Sequence, residues 1–449
     1  MRVLALLLLM LLSFTAQADW LGSVQAYENK QYAVAKAGFQ GLIPLGNADA
    51  AFNLGVMAYY GEGQAVDLGE ALSYFLLAEQ LEHQQAPAIV KRIYQEASTE
   101  QRVQAEQAAA KMLAGVFIKK NAARYQLSSE REPVALNAPM PDVPDDVFRR
   151  HPIGYIVLQL LVNEQGRVVV VDAIDSFPEG IFEPYTFRTL QRWQFEATGK
   201  QHLVSRQINF WVPGAMNARG ANQLLSHQQL WQYAQAGSQR HQEVLGSALN
   251  LIRLVSGVVT YLDPASPELE QAPDLSAWFE KKKLEIAIPG FQGDAIVRTN
   301  PQGEITRLLD VEDLKQPDAE TLLGLKIKGA GEGVFSLSGR QAQSRAFSRL
   351  NQNDLVLVQQ YFPVHPMQTA WYWWQKAASN GNLRAQRIMG AQRQDWQFYL
   401  LQQQDPMASA WHGARLVLDG ETTEGKALLR QSQAAGYKPA AELLKAMAL

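Results

Sequence analysis

Alternating apolar and polar positions between residues 154 and 213 predict a small antiparallel β-sheet. In the first strand every second residue is apolar: Ile156, Leu158, Leu160 and Val162. This period predicts that one face of the strand lies against a core. Gly166 follows in a tight turn, where it supplies the positive φ that the hairpin needs. A second apolar strand is predicted to run back from Arg167 to Ile174.

A helix is predicted after this hairpin. Residues 176–180 break the second strand, and Pro184 is typical of a first helical turn. Phe187, Leu190 and Trp193 then recur at helical spacing and form an apolar stripe. We expect this stripe to lie across the sheet.

The third strand, after Gly199, ends the predicted sheet. One of its faces is apolar, with Ile208, Phe210 and Val212. The other face carries three candidate partner-binding residues: Gln207, Asn209 and Trp211. A terminal strand has an unpaired row of backbone groups that an extended peptide can complete. The alternative is that neighbouring helices or a second copy of the chain cover this edge.

Four short motifs occur in this stretch in a fixed order. They are Gly154-x-Ile156, Gly166-Arg167-Val168, Ser176-Phe177-Pro178-x-Gly180-x-Phe182 and Trp193-x-Phe195-x-Ala197. Together they resemble the C-terminal domain of TonB-type proteins, over residues of about 140–213. The resemblance implies a small antiparallel sheet with helices on one face, and a periplasmic role in binding partner proteins. Val143-Pro144 and Glu196-Ala197 replace the family's Tyr-Pro and Pro-Ala.

Residues 19–120 are rich in Ala, Leu, Gln and Glu at helical spacing. Gly-punctuated loops separate helices with small residues at fixed offsets, as in Leu54-Gly55, Gly61-Glu62-Gly63, Asp67, Ala71, Tyr74 and Ala78. This pattern resembles a Sel1-like repeat, a relative of the tetratricopeptide repeat, and weaker copies recur after residue 370 and at 231–237. Because the copies are scattered around other modules, we expect at least two short helical arrays.

The remaining segments complete a multidomain α+β fold. Pro residues predict an extended linker over 121–153. Residues 221–282 are predicted to be helical, and alternating residues from Leu284 to Leu337 predict a β-rich module over 283–340. Residues 341–449 are predicted to return to Sel1-like helical repeats. The fold class is therefore helical arrays flanking a TonB-like antiparallel sheet with its helix and a small β-rich module.

Charge and targeting signals narrow the functional classes. The chain has 41 Lys and Arg against 44 Asp and Glu, for a net charge of -3, so nucleic acid is not an expected partner. An apolar run from Val3 to Leu12, followed by Ala16-Gln17-Ala18, predicts a signal peptide over residues 1–18. No later segment has the length of a transmembrane helix, so we expect a periplasmic mature chain without a membrane span.

Catalytic and metal-binding patterns are missing from the sequence. The chain has no Cys, and its seven His show no pair spaced for metal binding on one helix face. Gly329-Ala330-Gly331-Glu332-Gly333 lacks the Lys-Ser/Thr of a phosphate-binding loop. We therefore expect no metal, no cofactor and no enzymatic activity.

Four consecutive aromatic residues, 371–374, lie on a predicted helix. Successive side chains of a helix spread around its axis, so these rings cannot all pack against one neighbour. Trp371 and Trp374 are accordingly candidate residues for binding protein or glycan, and the alternative is packing against the β-module or another array.

These observations predict a non-catalytic periplasmic adaptor that binds cell-envelope proteins or peptide segments; its oligomeric state stays open. An energy transducer for outer-membrane transport is a second hypothesis, because TonB-type proteins have that role. Such proteins keep an N-terminal membrane anchor and carry the binding domain at the C-terminus, whereas here the domain lies mid-chain. The third hypothesis is a cell-wall-acting enzyme or its regulator.

The small-residue motif before Asp19 yields a direct prediction. We expect the mature N-terminus to be Asp19 and osmotic shock to release the protein. N-terminal sequencing of the released protein tests this. An intact Met1 in the membrane fraction would instead favour the anchored transducer.

Overall fold

The computed structural model describes residues 19–119, 122–127, 131–212, 214–263, 265–267, 269–288, 291–316, 318–339 and 356–449. The predicted signal peptide lies outside the described residues. The described part of the chain is mixed α+β and contains several sheets. The predicted fold class is confirmed at that level.

The element bounds are as follows. The helices are α1 Trp20–Glu28, α2 Tyr32–Leu42, α3 Ala48–Tyr60, α4 Leu68–Gln80, α5 Ala86–Glu96, α6 Thr99–Ala114, α7 Asp145–Arg150, α8 Glu183–Leu190, α9 Ala218–Ser226, α10 Leu230–Gln235, α11 Gln239–Ser256, α12 Ala370–Ser379, α13 Leu383–Gly390, α14 Gln394–Gln402, α15 Pro406–Leu418, α16 Thr422–Ala434 and α17 Lys438–Ala446. The strands are β1 Ala135–Asn137, β2 Ile153–Val162, β3 Val168–Phe177, β4 Gln194–Phe195, β5 His202–Trp211, β6 Val259–Leu262, β7 Gln292–Thr299, β8 Ile305–Gln316, β9 Gly333–Gly339 and β10 Val356–Val364.

The chain divides into two compact units. The first comprises the chain up to Val212 together with Gln229–Ser247 and Trp371–Leu449, and the second comprises Pro213–Gln228 and Ala248–Ala370. Helical segments from three distant stretches therefore belong to the first unit. The expectation of at least two short helical arrays stays a prediction, because membership of one unit does not show how the helices are grouped.

Several helices of the first unit are joined by one kind of junction. A residue with positive φ ends one helix, as at Gly381 (φ 99°) and Gln404 (φ 56°). The next residue donates its backbone N–H five residues back, as Asp405 does to Leu400 (2.9 Å), which is the Schellman arrangement. That residue then caps the following helix, since Asn382 accepts from the N–H of Ala385 at 2.8 Å. The junction turns the chain sharply between consecutive helices.

Buried amide side chains join the helices across the unit. Asn47, at the start of α3, donates to the Asn380 side chain at 2.8 Å. Asn380 in turn donates to the Gln242 side chain of α11 at 2.9 Å. All three amides are buried. Because unpaired buried amides are costly, this chain of bonds fixes the three stretches relative to one another.

The predicted hairpin and third strand form a three-stranded sheet in the order β3-β2-β5, antiparallel throughout. The turn between β2 and β3 holds Gly166 at φ 77°, as predicted. One face of the sheet packs against Phe182, Leu190 and Trp193 around helix α8. Leu190 is buried as predicted, but Phe187 of the same stripe is exposed. The buried side of α8 contains Thr186 in its place.

The second face of the sheet is also buried over much of its length. Leu161, Val170 and Leu203 pack against helices α15 to α17, in a cluster that includes Trp411 and Leu443. The sequence pattern predicted a core on one face only. Gln159 on β2 is buried as well, so its polarity did not mark a solvent-facing side.

Two carboxylates on β3 fasten this second face to the helices. Asp172 accepts hydrogen bonds from the Trp411 indole (2.8 Å) and the Tyr437 hydroxyl. Burial raises the pKa of the Asp172 carboxyl, while these two donors oppose the shift. Both donors lie on the C-terminal helical segment. The Asp172 carboxylate therefore joins β3 to helices that are remote in sequence.

The second carboxylate, Asp175, belongs to a buried ion cluster around Arg384 of α13. Arg384 lies 2.9 Å from Asp175 and 3.5 Å from Glu243 of α11, and both acids are buried. Tyr155 donates to Asp175 at 2.7 Å. Burial raises the pKa of the Glu243 carboxyl, and the Arg384 charge counteracts that rise. One guanidinium thus compensates two buried acids.

The second unit contains a five-stranded sheet in the order β6-β10-β9-β7-β8. Its pairs are antiparallel except for β6, which runs parallel to β10. The expected strand at 284–288 forms only an isolated bridge, between Glu285 and Lys328. The turn at residues 300–303 and the strands on either side of it occur as the pattern indicated.

Three segment assignments were wrong. Residues 221–282 are not helical throughout, because Gly257 at φ 69° ends α11 and the β-favouring Val259–Leu262 segment then forms β6. Likewise, 341–449 is not wholly helical, since Val356–Val364 pairs with β9. The expected 121–153 linker contains β1 and α7, because Val143 and Val147 reach the core of the three-stranded sheet.

The Arg384 cluster predicts a large effect of one substitution. Arg384→Met leaves Asp175 and Glu243 buried without their cation, which we expect to destabilise the fold by about 3–5 kcal/mol. Urea unfolding of the full chain measures the change. Arg149→Met, at an exposed position of α7, is the matched control and should be near neutral.

Adding Asp175→Asn and Glu243→Gln to Arg384→Met should recover part of the loss, because both buried charges are then removed. An Arg384→Met variant as stable as Arg149→Met would contradict the role assigned to the cluster.

Candidate partner-binding edge

The direction of the backbone groups along β5 follows from its pairing with β2. Val212 donates its N–H to the Pro152 carbonyl at 3.0 Å. The register then runs without a bulge from Ile153 opposite Trp211 to Val162 opposite His202. Hydrogen-bonded residues alternate in an antiparallel pair. The even-numbered residues of β5 therefore point their backbone groups at β2, and the odd-numbered residues point theirs away from it.

Part of the outward-pointing backbone of β5 makes no hydrogen bonds with the described residues, and this part contains the candidate residues predicted from the sequence. Within the described part of the chain, the backbone groups of Gln207, Asn209 and Trp211 have no hydrogen-bond partner. Further along the row, the Ser205 carbonyl accepts from the Arg206 guanidinium at 2.6 Å. We call the stretch Gln207–Trp211 the β5 edge. Its free N–H and C=O groups are the template to which another strand can add.

The side chains of the β5 edge form an uncharged row. Gln207 is exposed and donates to the Asn209 side chain at 2.8 Å, so these two amides hold one another in place. Trp211 is 50% exposed. The opposite face of the same strand is core, because Ile208 and Phe210 are buried and Phe210 stacks on Phe182 at 4.3 Å. The edge is therefore a rigid strand with amide and indole groups in solvent.

The aromatic run on α12 separates into two parts. Trp371 is 40% exposed, whereas Trp374 is 7% exposed and donates its indole N–H to Ser247 at 3.3 Å. Trp373 is buried edge-on against Trp231, with 5.3 Å between ring centroids. The proposal that Trp374 binds a partner is therefore wrong, because its indole packs on α11. The structure does not bring Trp371 into the β5 edge through any described contact.

A small cavity lies between the three-stranded sheet and helices α13 to α15. Its volume is about 20 Å³, which suffices for one water molecule, and Gln159, Arg387, Gln397 and Trp411 contribute to its lining. Tyr125 also lines it, and its buried hydroxyl makes no hydrogen bond in the described residues, while the Arg415 guanidinium lies 5.9 Å from its ring centroid. Burial raises the pKa of Tyr125 to about 12. Sequence reasoning missed this polar group because its neighbours are remote in the chain.

The described ranges contain neither a metal-binding cluster nor a membrane-spanning helix. No group of three His, Asp or Glu side chains there is arranged to hold a metal ion. Among the same residues, no helix combines the length and the apolar character required to cross a bilayer.

Comparison with solved structures yields weak similarity, of which one example is given below. No protein-family model matches the chain, and no curated protein matches it. The solution NMR structure of the Pseudomonas aeruginosa TonB C-terminal domain is similar over 20% of this chain and 94% of that chain, with 16% identity and a TM-score of 0.18.

Proposed function

We propose that this protein is a non-catalytic periplasmic adaptor that binds partner polypeptides by strand addition at the β5 edge. In this proposal the three-stranded sheet is a TonB-like domain, and the helices around it are Sel1-like repeats. The observation that carries the proposal is the open backbone row at Gln207, Asn209 and Trp211. Strand addition uses such a row for affinity and the neighbouring side chains for selectivity.

Burial of the sheet faces supports the edge as the binding element. Helix α8 covers one face, and the C-terminal helices cover much of the other. The edge of the sheet is therefore more accessible to a partner than its apolar faces are. The outer row of β5 has no charged side chain at Gln207, Asn209 or Trp211, which favours an uncharged extended segment over a strongly charged one.

The recurring helix junctions support the repeat assignment. Gly237, Gly381 and Gly436 each take a positive φ two residues before a helix start, in the junctions α10–α11, α12–α13 and α16–α17. Helical repeats of this type bind partner segments on their surfaces. In the proposal they hold the sheet rigid and supply a second binding surface.

Asn209→Pro tests strand addition directly. Proline removes an outward backbone N–H and leaves the apolar face of β5 unchanged, so we expect a folded variant that no longer captures its partner. Asn209→Ala is the matched control, because it removes the side chain but keeps the N–H. A photoreactive amino acid at Trp211 measures capture in intact cells, with mass spectrometry of the adducts, and thermal melting measures folding.

The proposal expects adducts that persist in Asn209→Ala and disappear in Asn209→Pro and Gln207→Pro. If both proline variants melt like the wild type and still give the same adducts, strand addition at this edge is wrong. A loss of about 3 kcal/mol or more in both would show that β5 is a paired inner strand, which also overturns the proposal.

A further inference from the structure

A second surface with exposed aromatic and apolar side chains lies on the α3–α4 loop, residues 61–67. This loop is remote in sequence from β5. Two large side chains beside this loop project into solvent: Tyr60 is 66% exposed and Val66 is 62% exposed. Gly61 and Gly63 both take positive φ, at 71° and 74°. The loop thus has an exposed aromatic ring at its start and an exposed apolar side chain that folds back toward Gly61.

Further tyrosines surround this loop. Tyr27 and Tyr32 meet edge-on at 5.9 Å between ring centroids, and Tyr59 and Tyr60 do so at 5.1 Å. Tyr27 donates its hydroxyl to Glu62 of the loop at 2.7 Å. Burial, followed by this hydrogen bond, raises the pKa of Tyr27 to about 12, so its hydroxyl stays neutral. We call Tyr27, Tyr32, Tyr60, Glu62 and Val66 the tyrosine patch.

Two glycines of the loop pack closely against neighbouring side chains. A Cβ atom at position 63 would lie 2.5 Å from the Cβ of Tyr32, and one at position 61 would lie 2.9 Å from Val66 Cγ2. At the far end of the loop, Lys36 pairs with Glu70 at 2.9 Å. A surface fixed before binding loses little conformational entropy when a partner docks.

Acidic side chains outnumber the paired cation at this loop. The loop and the start of α4 carry Glu62, Asp67 and Glu70, and Lys36 pairs with Glu70 at 2.9 Å. A neighbouring tyrosine already holds a cation, because the Arg92 guanidinium lies 5.6 Å from the Tyr59 ring centroid. Tyrosine faces attract guanidinium and ammonium groups, and the attraction is stronger beside a carboxylate.

We propose that the tyrosine patch binds an arginine- or lysine-bearing segment of a partner protein. The cation would lie over the exposed Tyr60 ring and near Glu62, while Val66 contacts the aliphatic part of the same side chain. Negative charge makes a basic polypeptide the better fit than a neutral or anionic glycan. Tyrosine is also among the residues enriched at protein interfaces.

Fluorescence anisotropy with short peptides tests this. The full chain is titrated into fluorescein-labelled acetyl-(Gly-Arg)4-amide, and acetyl-(Gly-Gln)4-amide and acetyl-(Gly-Glu)4-amide are the comparison probes. We expect the arginine peptide to bind more tightly than the other two. Tyr60→Ala and Glu62→Gln should each weaken it about two- to fivefold. Tyr233→Ala and Glu442→Gln, at other exposed positions, are matched controls and should leave it unchanged.

Three results would overturn the proposal: equal binding of all three peptides, binding that the patch variants leave unchanged, and displacement of the arginine peptide by chitotetraose at a lower concentration than by unlabelled peptide. Asn209→Pro should not alter binding of the arginine peptide, because β5 is not part of the patch. Failure of strand addition and failure of this proposal are therefore separable.

Discussion

Burial of both faces of the three-stranded sheet is the constraint on which the arrangement of the first unit depends. A sheet of this size has little core of its own, and here α8 supplies one cover and the C-terminal helices supply the other. Once both covers are present, backbone edges are the parts of the sheet left for recognition. The interaction proposed at β5 follows from that geometry rather than from a cleft.

Two carboxylates on β3 determine which helices pack against the second face of the sheet. Asp172 and Asp175 lie on β3, in a largely buried face, and each must find donors. Trp411, Tyr437 and Arg384 provide them from helices more than 200 residues away in sequence. Hydrophobic contact alone would tolerate a shifted docking of these helices, whereas paired carboxylates specify one position.

The predictable parts of the fold were those encoded locally. The hairpin was predictable from the alternation between Ile156 and Val162 and from Gly166 in the turn. The same alternation of apolar and polar residues put Gln207, Asn209 and Trp211 on one face of a terminal strand. The second buried face was not predictable in this way, because Gln159 and Tyr155 resemble a solvent-facing side until their distant partners are known. Trp374 was misjudged for the same reason: its partner, Ser247, is remote in sequence. Pairing with β9 likewise determines that β10 is a strand, although helix α12 begins soon after it.

Amide hydrogen exchange along β5, followed by NMR, tests the open edge most directly. The account predicts alternation: the outward amides of Gln207, Asn209 and Trp211 should exchange at least about a hundredfold faster than the paired amides of Arg206, Ile208 and Phe210. Protection of the outward amides equal to that of their neighbours, in the isolated protein, would show that the edge is already paired or covered and would contradict the account.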